Sequence, residues 1–293
     1  ATYESLCHAA RALANMCVGG DVEAAIQQMA ANIGAVKVLL DLLARTQEYL
    51  GQIRRIKIES RVAASLDDML RETIRALAKL ACFSTNQQTI VEWGQMNLII
   101  DLIRPEADTS IGIKQETLEL IARLSEVRKC LPMLVSNGVM PLVVELLQLP
   151  DAQVGKSAAE VLTKLAEVKE YQAKISPAAT MWQLVELLGS REPAVQFASL
   201  NALNQLLYEN VPNQAEAVSA GVVEPCVQLA RLEDEKLSST SATLLAQVVL
   251  SEAGGGMRAP IQMSPDTRLQ VFSAMAMSTS VEAHAIASMG LAT

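Results

Sequence analysis

Aromatic residues are scarce in this 293-residue chain: two Trp, four Tyr and three Phe, 3% of the total. Stacking on nucleic-acid bases needs exposed aromatic faces, and a nucleic-acid surface is usually basic. This chain has a formal net charge of −8, so nucleic acid is excluded as its main partner. Only two histidines occur, His8 and His284, near opposite ends. A nucleophile with its base, or a histidine metal site, needs such groups brought together. The motifs G-x-x-x-x-G-K-[ST], G-x-G-x-x-G, H-E-x-x-H and G-x-S-x-G are missing as well. No catalytic residue, metal ligand or cofactor is nominated, and the chain is not expected to be an enzyme. Long uncharged apolar runs are also lacking, so no transmembrane segment is expected.

The cysteines are few: Cys7, Cys17, Cys82, Cys130 and Cys226, with no C-x-x-C spacing. They read as small buried residues in a reducing compartment, not as a disulfide framework. The opening residues form no charged region followed by an apolar one, so no signal peptide is read, and the expected compartment is the cytoplasm. Gly254–Gly256 has neither a preceding strand nor a following Lys-Ser and reads as a flexible linker.

What the chain has is apolar residues, 51% of the total, far too many for disorder, and it has them in a repeat. Gly34-Ala-Val-Lys-Val-Leu-Leu-Asp-Leu-Leu43 matches Gly94-Gln-Met-Asn-Leu-Ile-Ile-Asp-Leu-Ile103 and Gly138-Val-Met-Pro-Leu-Val-Val-Glu-Leu-Leu147. Ala179-Thr-Met-Trp-Gln-Leu-Val-Glu-Leu-Leu188 and Gly221-Val-Val-Glu-Pro-Cys-Val-Gln-Leu-Ala230 follow, and a further start falls near Gly290. The later starts recur at about 42 residues. A short apolar helix precedes each start, over Gln87–Trp93, Leu131–Asn137 and Gln214–Ala220. A second helix follows it. A longer third helix comes next, over Met69–Ala81, Gln115–Ser125, Lys156–Ala166 and Val195–Leu207. In Met69–Ala81 the residues Leu70, Ile74, Leu77 and Leu80 share one face. The junction glycine suits a sharp turn with φ > 0. Pro141 and Pro225 lie in the first turn of second helices and Pro193 opens a third helix, where a missing N–H costs little.

Three helices per repeat, a junction glycine and this period resemble the armadillo repeat. The A-L-x-N-L pattern of that family's third helix has counterparts in Ala12-Leu-Ala-Asn-Met16, Ala76-Leu-Ala-Lys-Leu80, Ile121-Ala-Arg-Leu124, Val161-Leu-Thr-Lys-Leu165 and Ala202-Leu-Asn-Gln-Leu206. The resemblance implies an all-α fold, a right-handed superhelix (α-solenoid). It would be a single array over 1–293 with about five repeats and partial repeats at both ends. Both ends fall inside a repeat, as in a fragment of a longer array. Two departures read as insertions that map to surface loops: 44–66, rich in Arg and Lys, and 251–278, with a loop over Ser251–Ser264 and an extra helix near Asp266–Ser278.

The resemblance also implies that third helices line a concave groove that takes an extended peptide. The family's ladder Asn falls here on Asn15, Lys79, Arg123, Lys164, Gln205 and Gln247. One turn earlier, where nuclear-import receptors have Trp, stand Arg11, Arg75, Glu119, Glu160, Asn201 and Thr243, which argues against binding of nuclear-localisation signals. Another turn back are Arg71, Gln115, Lys156, Phe197 and Ser239. Arg71, Arg75 and Lys79 thus share one face at i, i+4, i+8, and Arg123, Lys156 and Lys164 extend the cationic character. The expected groove is Asn15, Arg71, Arg75, Lys79, Arg123, Lys156, Lys164, Gln205 and Gln247. Its expected occupant is an acidic or polar peptide segment of a partner protein. Glu72, Glu119 and Glu160 are the counterweight, since they would neutralise a solvated face. The alternative reading is a structural or assembly subunit of a large organellar or ciliary complex. A helical-repeat enzyme such as a lyase is a remote third.

Overall fold

The computed structural model describes residues 3–16, 34–55, 61–172, 175, 177–253, 265–278 and 280–291. Among them every regular element is a helix. Their contacts divide the chain into two compact units, Ala1–Leu142 and Val143–Thr293, a division that the single-array expectation does not contain. The first unit holds α1 (Tyr3–Met16), α2 (Ala35–Arg55), α3 (Arg61–Leu80), α4 (Ser84–Glu92), α5 (Met96–Ile100, continued by a 3-10 turn), α6 (Ile111–Ser125) and α7 (Leu131–Ser136). Helix α8 (Val139–Leu146) contains the boundary. The second unit continues with α9 (Ala152–Ala166), α10 (Lys169–Gln172), α11 (Pro177–Leu188), α12 (Pro193–Leu207), α13 (Val211–Ser219), α14 (Val223–Ala230), α15 (Glu235–Ala253), α16 (Pro265–Met277) and α17 (Val281–Leu291).

The short–medium–long order is that of the repeat read from sequence. The third helices are α1, α3, α6, α9, α12 and α15. Within the first unit α1 packs on α3 and α3 on α6; within the second, α9 packs on α12 and α12 on α15. Their apolar stripes meet, so that Leu77, Leu80, Leu124, Leu165 and Leu206 are fully buried. Helices α6 and α9 start about one turn before the apolar period shows them, each at a side-chain cap. Ser110 Oγ accepts from the Ile113 N–H at 3.3 Å. Asp151 Oδ1 accepts from the N–H groups of Gln153 and Val154, both at 3.0 Å.

The junction glycines Gly34, Gly94, Gly138 and Gly221 have φ of 74°, 74°, 79° and 83°, a region in which a Cβ is strained. Two starts depart from this. Ala179 lies inside α11, which has already begun at Pro177. An alanine does not turn the chain there, and the short helix before it is described over Lys169–Gln172. Gly290 also lies inside a helix, α17, so no junction turn forms at that start.

The first insertion is helical where described, not a surface loop. Helix α2 continues to Arg55 and α3 starts at Arg61. The reason is that the buried period does not stop at Leu43: Leu39, Leu43, Thr46 and Leu50 are all buried at i, i+3/i+4 spacing, and Leu66 and Met69 meet the same need on α3. Of the second insertion, α15 extends to Ala253 and α16 forms at Pro265–Met277. Residues 254–264, with Gly254–Gly256, lie outside the described residues.

Buried amides tie successive repeats together, a device the sequence reading missed. Gln87 Nε2 donates to the Arg123 carbonyl at 3.0 Å. Gln172 Nε2 donates to the carbonyls of Ala166 and Gln205 at 2.8 and 2.9 Å. Asn213 and Gln214 donate to the carbonyls of Leu206 and Leu207 at 2.8 and 2.9 Å. These first helices thereby add hydrogen bonds to carbonyls in the last turns of third helices, where intrahelical donors run out. The opposite case is the hydroxyls of Ser199 on α12 and Ser241 on α15, fully buried and without a hydrogen-bond partner among the described residues. An unsatisfied buried hydroxyl costs about 1–3 kcal/mol. Replacing either serine by Ala is therefore expected to raise the urea midpoint, and a lower midpoint for both variants would contradict that.

Of the cysteines, Cys226 is fully buried and its thiol is pushed up to about 12 by burial. Cys130 is buried and shifted upward for the same reason. Cys82 corrects the expectation: it is exposed, because it follows α3 in a turn beyond the buried stripe. Cys17 lies outside the described residues.

Candidate functional site: the faces of the third helices

In the first unit a buried carboxylate organises the expected groove residues. The Glu72 side chain, on α3, is 3% exposed, whereas those of Arg11, Arg71 and Arg75 are 43%, 45% and 32% exposed. Arg11 Nε, from α1, lies 3.1 Å from Glu72 Oε1. Arg71 Nη2 lies 3.8 Å from the same oxygen, and Arg75 Nη1 lies 3.5 Å from Glu72 Oε2. Arg75 Nη2 also donates to Asn15 Oδ1 at 3.4 Å. The stem of Arg71 crosses the start of α6 at Gly112, where a Cβ would come within 3.2 Å of its Cδ. Lys79 Nζ donates to Glu119 Oε1 at 2.7 Å, joining α3 to α6.

The structure thus gathers Asn15, Arg71, Arg75 and Lys79 around Glu72 and Glu119. The sequence reading treated Glu72 as part of a solvated face. Its burial arises because α1 covers α3 across 60 residues of sequence, which no local pattern reveals.

The other expected cations pair with carboxylates three or four residues away in sequence. Arg123 Nη1 reaches Glu126 Oε1 at 3.4 Å, at the end of its own helix. In the second unit Lys156 pairs with Glu160 at 3.1 Å and Lys164 with Glu167 at 2.8 Å. The cationic stripe is therefore a set of ion pairs: each of these six side chains has a carboxylate within 3.8 Å. The faces of α12 and α15 carry no formal charge at the corresponding positions. Gln247 Nε2 donates to Asn204 Oδ1 at 3.2 Å, and Asn204 Nδ2 donates to the Thr240 carbonyl at 3.1 Å, so these amides bridge the two helices. Gln205 is half-buried on the same face of α12 as Phe197 and Asn201.

Glu116, on α6, faces the same cations. Its carboxyl is held above the usual range, first by burial and then by Glu119, against the pull of Arg75, Lys79 and Arg71. A carboxyl raised on folding favours the folded state below its unfolded value of 4.5 and penalises it as pH rises through the folded value. Glu116→Gln is therefore expected to stabilise the chain at pH 7, with the difference vanishing toward pH 4. Thermal melts across that range check the sign.

Among the described residues no group of three or more His, Cys, Asp or Glu could hold a metal ion, and no helix is long and apolar enough to cross a membrane.

No protein-family model matches the chain, and no curated protein sequence does. Solved structures do. A designed armadillo repeat protein aligns with a TM-score of 0.66 and 19% identity, over 84% of this chain and 94% of its own. A computationally designed armadillo repeat protein for modular peptide recognition gives a TM-score of 0.65 at 19% identity, over 84% and 94% of the two chains. Another designed armadillo repeat protein, in complex with the peptide (KR)4, gives 0.60 at 16% identity, over 83% and 98%. The fold is an all-α, armadillo-like helical repeat.

Proposed function

We propose that this chain is a non-catalytic scaffold for protein–protein interaction that receives an extended, polar segment of a partner on its third-helix faces. The observation that carries this reading is the pairing of the cations. A basic peptide, such as the (KR)4 bound by the designed protein, would meet Arg71, Arg75 and Lys79. A uniformly acidic one would meet Glu116, Glu119 and Glu160. A polar segment with isolated charges avoids both repulsions; taken by itself, the second unit offers the uncharged residues Asn201, Gln205 and Thr243, which suit an uncharged segment. The more exposed pairs of Arg123, Lys156 and Lys164 add little stability, but such charges set which partner charges are tolerated.

The test is selection of binding peptides from an unbiased display library, followed by Arg75→Glu with Lys79→Glu. The expected result is weaker binding of the selected peptides and an altered salt dependence. Unchanged affinity with an intact helical spectrum would overturn the reading.

A further inference from the structure

One place on the third-helix faces is not charge-balanced. Three guanidinium groups, those of Arg11, Arg71 and Arg75, converge on the single carboxylate of Glu72. Glu72 cannot neutralise all three, and its Oε2 makes no hydrogen bond. With Lys79 and the facing carboxylates of Glu119 and Glu116 counted, four cations meet three carboxylates, an excess of one positive charge. The nearest cation along α3, Lys79, already has Glu119. Arg11 and Arg71 keep 43% and 45% of their side chains exposed, so their forks face the surface where a ligand would lie. Arg71 is laid over the start of α6, at a residue with no side chain to displace it.

We infer that Arg11, Arg71 and Arg75 form a subsite for a phosphorylated side chain on the bound peptide segment. The assignment rests on the peptide-binding reading above. A phosphate monoester carries about two negative charges at neutral pH and three acceptor oxygens, one for each of the three guanidinium forks around Glu72. Arginine forks bind such an oxyanion bidentately. A single carboxylate offers two acceptor oxygens, too few for three forks. The opposing group is Glu116, whose carboxyl faces the same cations, so its removal should strengthen the subsite.

The probe is a degenerate peptide pool centred on phosphoserine, compared with the same pool centred on serine, each incubated with the full chain. The expected result is enrichment of the phosphorylated pool by about tenfold, the effect of one good charge-assisted contact. Arg71→Ala should abolish that preference. Because this variant disturbs the partner of a buried carboxylate, two others leave the Glu72 contacts intact. Asn15→Asp should weaken the preference and Glu116→Gln should increase it. Equal binding of both pools, or a preference untouched by all three variants, overturns this subsite while leaving peptide binding standing. Binding of neither pool, nor of an unbiased one, overturns both readings together.

Discussion

Leu165→Ala is expected to lower the stability of the second unit by about 2–5 kcal/mol. Leu165 is fully buried on α9, and α9 packs on α12, where Leu206 holds the same repeat position and is also fully buried. Truncation removes the transfer free energy of the lost methyl groups and leaves a cavity. Backbones pinned by helix-to-helix amides such as Gln172 have little freedom to close it. Stacked repeats derive much of their stability from nearest-neighbour interfaces, and α9 on α12 is one of them. Val38, 63% exposed on α2, is the control: Val38→Ala should fall within about 0.5 kcal/mol of the parent. Urea unfolding followed by far-UV circular dichroism measures both. A Leu165→Ala loss no larger than that of Val38→Ala would mean that the stripe is not the spine of the repeat.

The stripe was legible in the sequence because it is periodic and local. Four of the five junction starts between residues 34 and 221 carry the glycine that the turn requires, and the structure turns at those four. The fifth, Ala179, has no glycine and lies inside α11, which begins at Pro177. The length of α2 was in principle legible too, from Thr46 and Leu50 continuing the buried period, but the Arg-rich composition of 44–66 looks like surface. The candidate site was half legible. Repeat register put Asn15, Arg75 and Lys79 on one expected face, and the structure has Arg75 bonded to Asn15. It could not show that Glu119 reaches Lys79 from the next helix, or that α1 buries Glu72. Charge pairing between helices depends on side-chain direction and on packing across tens of residues. A count of charges along one helix is blind to both.

Removing two of the three cations around Glu72 should be among the most destabilising changes available on an otherwise polar face. Arg11→Met with Arg75→Met keeps most of the aliphatic volume of both side chains but leaves a carboxylate that is 3% exposed with only Arg71, at 3.8 Å. Breaking a buried ion pair by deleting one side costs about 3–5 kcal/mol, because the remaining charge is neither hydrated nor paired. The partial exposure of the arginines themselves does not soften this, since the stranded group is the buried one. Adding Glu72→Gln to the double variant should restore most of the loss, because a neutral amide has a far smaller desolvation cost. The sequence of effects is the diagnostic: a large loss on deleting the arginines, and recovery on neutralising the glutamate. Chemical denaturation of the parent, double and triple variants at one pH measures it. If the triple variant is no more stable than the double, the arginines act through packing alone, and Glu72 is not the centre of the cluster.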